Sequence, residues 1–135
     1  MIKLAIRAVQ LSDLDRLAEI EAICFPKSEA ASRHSIKARI QAFPESFLVA
    51  ETAGRLIGFI NGCVTNSSLI YDELFTTTEH HRPDGKNLTV FGLDVIPEYR
   101  QQGIAAQLMN QFIQLARNTH RNSVILTCKS ELVQL

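Results

Sequence analysis

The 135-residue chain lacks net charge: 14 Lys and Arg are matched by 14 Asp and Glu. With no excess of either sign, neither nucleic acid nor an anionic membrane surface is expected as a main partner. A cysteine framework is also missing. Cys24, Cys63 and Cys128 are odd in number, far apart and without a Cys-x-x-Cys spacing. That pattern suits a reducing, cytoplasmic compartment rather than a disulfide scaffold. No apolar run is long enough for a membrane span, because the longest uncharged stretch, 56–71, contains Asn61, Thr65, Asn66, Ser67 and Ser68. Met1-Ile2-Lys3-Leu4 leads straight into a strand-like segment with Arg7, and no signal peptide is expected. Repeats and low-complexity tracts are absent as well. What is present, 46% hydrophobic and 21% charged residues, suits one soluble domain over 1–135 with a single core.

Periodicity places the elements. Residues 4–8 alternate as a strand. Ser12 followed by Asp15 resembles a capping box, with Leu11 as a staple. Leu14, Leu17, Ile20 and Ile23 then give a helix one apolar face, and Pro26 ends it. A second helix is expected over about 31–42, carrying Ile36 and Ile40, with Phe43 beyond it. Residues 47–52 and 55–60, separated by Ala53-Gly54, read as an antiparallel hairpin. The stretch 76–85 is polar and without period. Residues 87–96 form a strand, and Ile104, Leu108, Phe112 and Leu115 follow helical spacing. Ser123 to Cys128 reads as a short buried strand, so strand, helix and strand make a right-handed parallel crossover.

Chemistry concentrates between the strand at 87–96 and the helix after it. The segment Leu93-Asp94-Val95-Ile96-Pro97-Glu98-Tyr99-Arg100-Gln101-Gln102-Gly103-Ile104-Ala105-Ala106 runs from an apolar strand through a Pro turn to a helix starting at a Gly. The first turn of a helix offers free N–H groups and the positive end of the macrodipole. Small residues at Gly103, Ala105 and Ala106 let a phosphate or pyrophosphate approach that backbone. The three spaced glycines of a dinucleotide fold are missing, and so is the Gly-Lys-Ser/Thr of a P-loop.

What remains, Arg100-Gln101-Gln102-Gly103-Ile104-Ala105, resembles the acetyl-CoA loop of the GCN5-related N-acetyltransferase family, Arg/Gln-x-x-Gly-x-Gly/Ala. The flanks, Leu93 to Tyr99 before it and Gln107-Leu108-Met109 after it, strengthen the likeness. It extends over nearly the whole chain and is greatest toward the serotonin (arylalkylamine) N-acetyltransferase branch and its bacterial relatives. Ile6-Arg7-Ala8, Glu19-Ile20-Glu21-Ala22-Ile23-Cys24-Phe25-Pro26 and Leu126-Thr127-Cys128 look like that branch's first strand, first helix end and fifth strand. The resemblance implies a mixed α/β sheet with helices on both faces. It implies acetyl-CoA as co-substrate, held by Leu93, Asp94 and Val95 along the pantetheine and by Arg100, Gln101, Gln102, Gly103, Ile104, Ala105 and Ala106 at the pyrophosphate. Phe25 and Phe91 would border the acceptor, a small-molecule primary amine acetylated directly in a ternary complex.

The chain departs from the branch in two respects. The paired His residues of its proton relay are replaced by Thr89 and Phe91. Ser130 offers an N-cap to the helix after the fifth strand, but the rest of that helix, the two last strands and the Tyr that protonates the thiolate would lie past Leu135, so the domain reads as incomplete at its C-terminus. An uncovered strand at 123–128 would favour self-association, with a homodimer as one form. No general base stands out. Asp94 has the opposite strand parity to Phe91 and Leu93, and Glu51, Asp72 and Glu73 read as solvated charges. Glu79-His80-His81 has no third ligand at useful spacing, so a solvated loop and no metal are expected. Cys128 reads as a buried structural thiol. The alternative to an enzyme is an acyl-CoA-binding or regulatory module that kept the cradle and lost the relay.

Overall fold

Two antiparallel strands joined by a tight turn form the middle of the sheet: Phe47–Thr52 (β2) and Arg55–Thr65 (β3). The connecting Ala53 and Gly54 both have positive φ, 52° and 76°, the left-handed pair that matches strand twist in a two-residue hairpin. Ala5–Ala8 (β1) pairs antiparallel with β2, and Asn87–Val95 (β4) pairs antiparallel with β3. After the helix Ile104–Asn118 (α1 and α2 being Leu14–Cys24 and Arg33–Ala42, this is α3), Ser123–Ile125 (β5) returns parallel to the start of β4. The strand order is β1-β2-β3-β4-β5. This computed structural model describes residues 3–65, 81 and 85–125.

The sheet is the expected mixed α/β layer with helices on both faces. α1 and α2 cover one face, and α3 covers the other across β2, β3 and β4. α3 buries Ile104, Leu108, Phe112 and Ala116, a four-residue spacing that keeps one stripe on the sheet. Opposite it, Leu17 and Ile20 of α1 and Ile36 of α2 are fully buried beside the stacked rings of Phe47 and Phe59. Ser32 caps α2, its side chain accepting the Ser35 N–H at 3.1 Å.

Three local readings need correction. The α1 entry is organised one step earlier than Ser12 and Asp15. A short 3₁₀ turn, Leu11–Asp13, precedes α1, and the Asp13 carboxylate accepts the Gln10 N–H at 2.8 Å. Arg7 holds the same carboxylate with two bonds of 2.9 and 3.0 Å, which is why Asp13 and not Asp15 takes the role. Leu11 and Ile23, expected on the apolar side, are about half exposed. Third, β3 continues past residue 60 to Thr65. Asn61 and Gly62 break the apolar alternation, yet Asn61 is buried because the Arg39 guanidinium donates to it at 3.3 Å. β5 is described to Ile125, so the rest of the strand expected at 123–128, with Cys128 and the segment after it, lies outside the described residues. Asp72, Glu73, Glu79 and His80 also lie outside them.

Candidate functional site

β4 leaves the sheet at a turn whose backbone is set by two left-handed residues. The Ile96 N–H still bonds to Ile57 O at 3.0 Å. Pro97–Tyr99 then forms a 3₁₀ turn, Gln101 takes φ 62° and Gly103 φ 80°, and α3 begins at Ile104. The helical ladder starts with Gln107 N–H to Gly103 O at 3.0 Å, so the N–H groups of 104–106 lie ahead of it. Among the described residues, and apart from its chain neighbours, no atom lies within 4 Å of where a Gly103 Cβ would stand. Its positive φ, rather than crowding by the protein, is what calls for glycine.

A cleft of about 470 Å³ opens beside this turn. Leu93, Asp94 and Val95 line it from β4; Arg100, Gln101, Gly103, Ile104 and Ala105 line it from the turn and helix start; and Phe25 closes it from the end of α1. Nine of the residues singled out in the sequence are therefore brought together. Gln102 and Ala106 are exposed and do not line the cleft, and the Gln102 amide donates to Glu98 O at 3.4 Å. Phe91 does not line it either. Its ring meets Phe43 edge-on at 5.8 Å, with the Arg39 guanidinium 4.8 Å from its centroid. Cys24 and Tyr99 line the cleft and carried no signal beyond adjacency to Phe25 and Arg100.

Backbone direction along β4 follows from the pairing. Ile96 N–H faces β3, as does the Asp94 carbonyl, which would lie 2.5 Å from a Gly58 Cβ. By alternation, the N–H and C=O of Leu93 and Val95 point to the opposite edge. The Val95 carbonyl there accepts Arg100 Nε at 2.8 Å and the Cys24 thiol at 3.4 Å. Among the described residues, β5 pairs with this edge only from Asn87 to Thr89. A bulge sits immediately beyond. Asn61 pairs with Gly92 and Gly62 with Val90, so Phe91 is the extra residue. A Cβ on Gly62 would stand 2.0 Å from the Thr89 carbonyl oxygen, so the close approach beside the bulge needs glycine.

The bulge corrects the parity expected for Asp94. It turns Phe91 toward Phe43 and Arg39, the α2 side, where Gly92 also faces Asp94 Oδ1 and Asn61. Phe91 and Asp94 therefore share a face. Asp94 is 1% exposed and packs in a polar cluster with Glu21, Arg39 and Asn61, all buried. Burial, then the hydrogen bond and charge of Glu21, push the Asp94 carboxyl up to about 10, against the opposing pull of Arg39 and Arg100. Burial lowers the Arg39 guanidinium below its ordinary value. It raises the Cys24 thiol, with Asp94 adding to the effect, and pushes Cys63 up to about 11. Both thiols are thus held protonated, which does not suit a nucleophile.

The other candidates sit elsewhere. Thr89, at one position of the missing His pair, is fully buried, and its hydroxyl has no partner among the described residues. Glu51 pairs with Arg7 at 3.3 Å, joining β2 to β1 away from the cleft residues. His81 is not a solvated loop residue: its Nδ1 accepts the Val64 N–H at 3.0 Å and its ring packs 5.0 Å from that of Phe43. Among the described residues, no group of three His, Cys, Asp or Glu side chains could hold a metal ion. Nor is any described helix long and apolar enough to cross a membrane.

Comparison with known proteins agrees with this geometry. Uncharacterized N-acetyltransferase YkwB of Bacillus subtilis (strain 168) is 30% identical over 123 residues, 83% of this chain and 54% of that protein. Probable hydrolase YhcX of the same organism is 29% identical over 134 residues, 92% of this chain and 26% of that protein. The chain thus spans about half of one curated relative and about a quarter of the other. The solved structure of the GphF GNAT-like decarboxylase in complex with isobutyryl-CoA is 28% identical, with a TM-score of 0.76 over 84% of this chain and 59% of that one. The model of the acetyltransferase (GNAT) family matches residues 14–133, and the chain belongs to that family.

Proposed function

We propose that the cleft holds acetyl-CoA and that the chain transfers the acetyl group to the primary amine of a small molecule, directly and within a ternary complex. One observation carries the reading. A single cleft gathers the outward backbone edge of Leu93 and Val95, the left-handed turn at Gln101 and Gly103, and the start of α3. The pyrophosphate fits the N–H groups of 101–106, with Arg100, Gln102 and Ala106 at its rim. The pantetheine fits alongside Leu93, Asp94 and Val95. Phe25 borders the acceptor, while Phe91 contributes from behind the strand rather than from the cleft wall.

Acetyl-CoA supplies an activated thioester. The chain's own contribution is to hold it in line and to aim an N–H of β4 at the carbonyl oxygen as charge builds there. The amine, with a reference pKa of about 10, must lose its proton before it attacks. Thr89 and Phe91 cannot relay that proton as the His pair of the arylalkylamine branch does, so the relation to that branch is proposed for the donor side alone. A cytoplasmic location, a single domain over 1–135 and an acid supplied beyond the described residues belong to the same proposal.

A second reading is an acyl-CoA-binding module that does not acetylate amines. It is favoured by the absence of a base at Thr89 and Phe91, and by the likeness to a GNAT-like decarboxylase holding isobutyryl-CoA. Thiol release from acetyl-CoA with a panel of primary amines, beside direct titration with coenzyme A, separates the two. Amine-dependent release supports the enzyme. Binding without release in the full-length protein overturns it in favour of the module.

A further inference from the structure

We propose that Glu21 and Asp94 share one proton beneath the cleft, and that this proton fixes α1 to β4 and makes Asp94 a positioning residue for the thioester end of the cleft. The assignment of the cleft to an acyl-CoA rests on the proposed function; the shared proton does not.

The geometry demands a donor that no neighbour supplies. Both Asp94 carboxyl oxygens are buried and, among the described residues, receive no N–H or O–H. The Glu21 carboxyl lies in hydrogen-bond reach of Asp94, and its Oε2 already accepts the Ala31 N–H at 2.8 Å. Two carboxylates are both acceptors and repel; a single proton turns the contact into an O–H···O bond. Charge leads to the same conclusion. Among the described residues, the buried cation of the cluster is Arg39, and a held proton brings Glu21, Asp94 and Arg39 to balance. The groups facing the pair are Cys24 from α1, Arg39 from α2 and Arg100 from the turn after β4, with Asn61 and Cys63 of β3 against Arg39. The rise of the Asp94 carboxyl to about 10 keeps the proton in place at neutral pH.

The consequence reaches the cleft through one peptide. Asp94 is followed by Val95, whose carbonyl joins Cys24 at the end of α1 to Arg100 just after the 3₁₀ turn. The Glu21–Asp94 bond clamps the same α1–β4 contact from below. The proton also removes a second negative charge from beneath the strand that would face a developing oxyanion, where such a charge would oppose the reaction.

The full chain tests this with two variants and three readouts. The native state holds a proton that the unfolded chain releases above pH 3.8, so this group's contribution to stability is present below 3.8 and lost as pH rises toward about 10. In Asp94→Asn, whose amide donates without titrating, that decline should disappear. The infrared band of a protonated carboxyl at neutral pH should disappear with it. An unchanged pH dependence of stability, or an unchanged acid band, overturns the shared proton whether or not coenzyme A binds. Asp94→Ala removes the donor, and its affinity for coenzyme A should fall about tenfold or more, with Asp94→Asn recovering most of the loss. If a folded Asp94→Ala binds coenzyme A like the parent chain, the positioning role is wrong. Should Asp94→Ala fail to fold, Asp94→Asn with an alkaline decline in coenzyme A affinity matching that of the parent chain overturns the role instead. A parent chain that binds no coenzyme A at all refutes the proposed function, with the stability and infrared results still deciding the proton.

Discussion

The two faces of the sheet are built on different principles. Under α3 the contact is dry: Ile104, Leu108, Phe112 and Ala116 are buried with no charged side chain among them. Under α1 and α2, apolar residues of the same kind surround a buried polar cluster of Glu21, Arg39, Asn61 and Asp94. Both faces meet at the C-terminal end of β4, where the cleft opens. A dry face gains stability from each buried area and needs no partners. A face with buried charges gains less, because desolvation offsets much of the attraction, and it persists only if its hydrogen bonds are complete. The polar groups lie next to the cleft, so the costly arrangement coincides with the chemistry, while the other face supplies rigid support.

The largest effect should therefore come from the dry face. Phe112 is fully buried, and Phe112→Ala should lower unfolding stability by about 4 kcal/mol in urea denaturation, through lost transfer energy and the cavity left behind. Its loss should be nearly independent of pH. A loss under about 1 kcal/mol would mean that the face repacks freely and that the contrast between the faces is weaker than drawn.

Arg39→Met should cost almost as much, about 3 kcal/mol, because it leaves two buried carboxyls without their cation. Here the pH dependence differs. With the cation gone, the Asp94 carboxyl holds its proton more strongly, so the loss should be larger above about pH 10 than at about pH 7. Adding Asp94→Asn should return part of it. Equal losses at the two pH values would show that Arg39 acts by packing on Phe91 rather than by charge.

The difference between the faces also governs what can be read from the chain alone. The α3 stripe, the Ala53-Gly54 turn and the Pro–Gly cradle are local patterns, set by neighbours in sequence, and each was legible from residue spacing. The polar cluster was not, because its members come from α1, α2, β3 and β4 and no spacing relates them. Phe91 shows why parity failed: alternation holds only along an unbroken strand, and a bulge is a property of two strands. The same tertiary context hid the second half of β3, where Asn61 reads as a loop residue until Arg39 is placed beside it. Ile23 erred in the other direction, since helical spacing does not say how far a helix projects beyond the sheet.

A smaller effect on stability but a direct one on binding is expected at the cradle. Gly103→Val forces a β-branched residue into φ 80° and fills space that the protein leaves open. Coenzyme A affinity, measured by calorimetric titration, should weaken at least about tenfold, roughly 1.4 kcal/mol. Unchanged affinity in a folded variant would remove the α3 N-terminus from the binding site and would leave the polar face as the better guide to function.

The smallest effect tests whether the polar face extends to the surface. Arg33 Nε lies 2.8 Å from Asp15 Oδ1, linking α2 to α1, but the two side chains are 59% and 85% exposed. Water and salt screen such a pair, and holding two long side chains costs entropy, so Arg33→Ala should change stability by under about 0.5 kcal/mol. Repeating the denaturation in high salt should erase what remains. A loss above about 1 kcal/mol, or a weaker affinity for coenzyme A, would mean that the α1–α2 contact is tuned from outside as well as from Glu21 and Arg39. The boundary between structural surface and functional interior would then have to be drawn at the rim of α1 rather than beneath it.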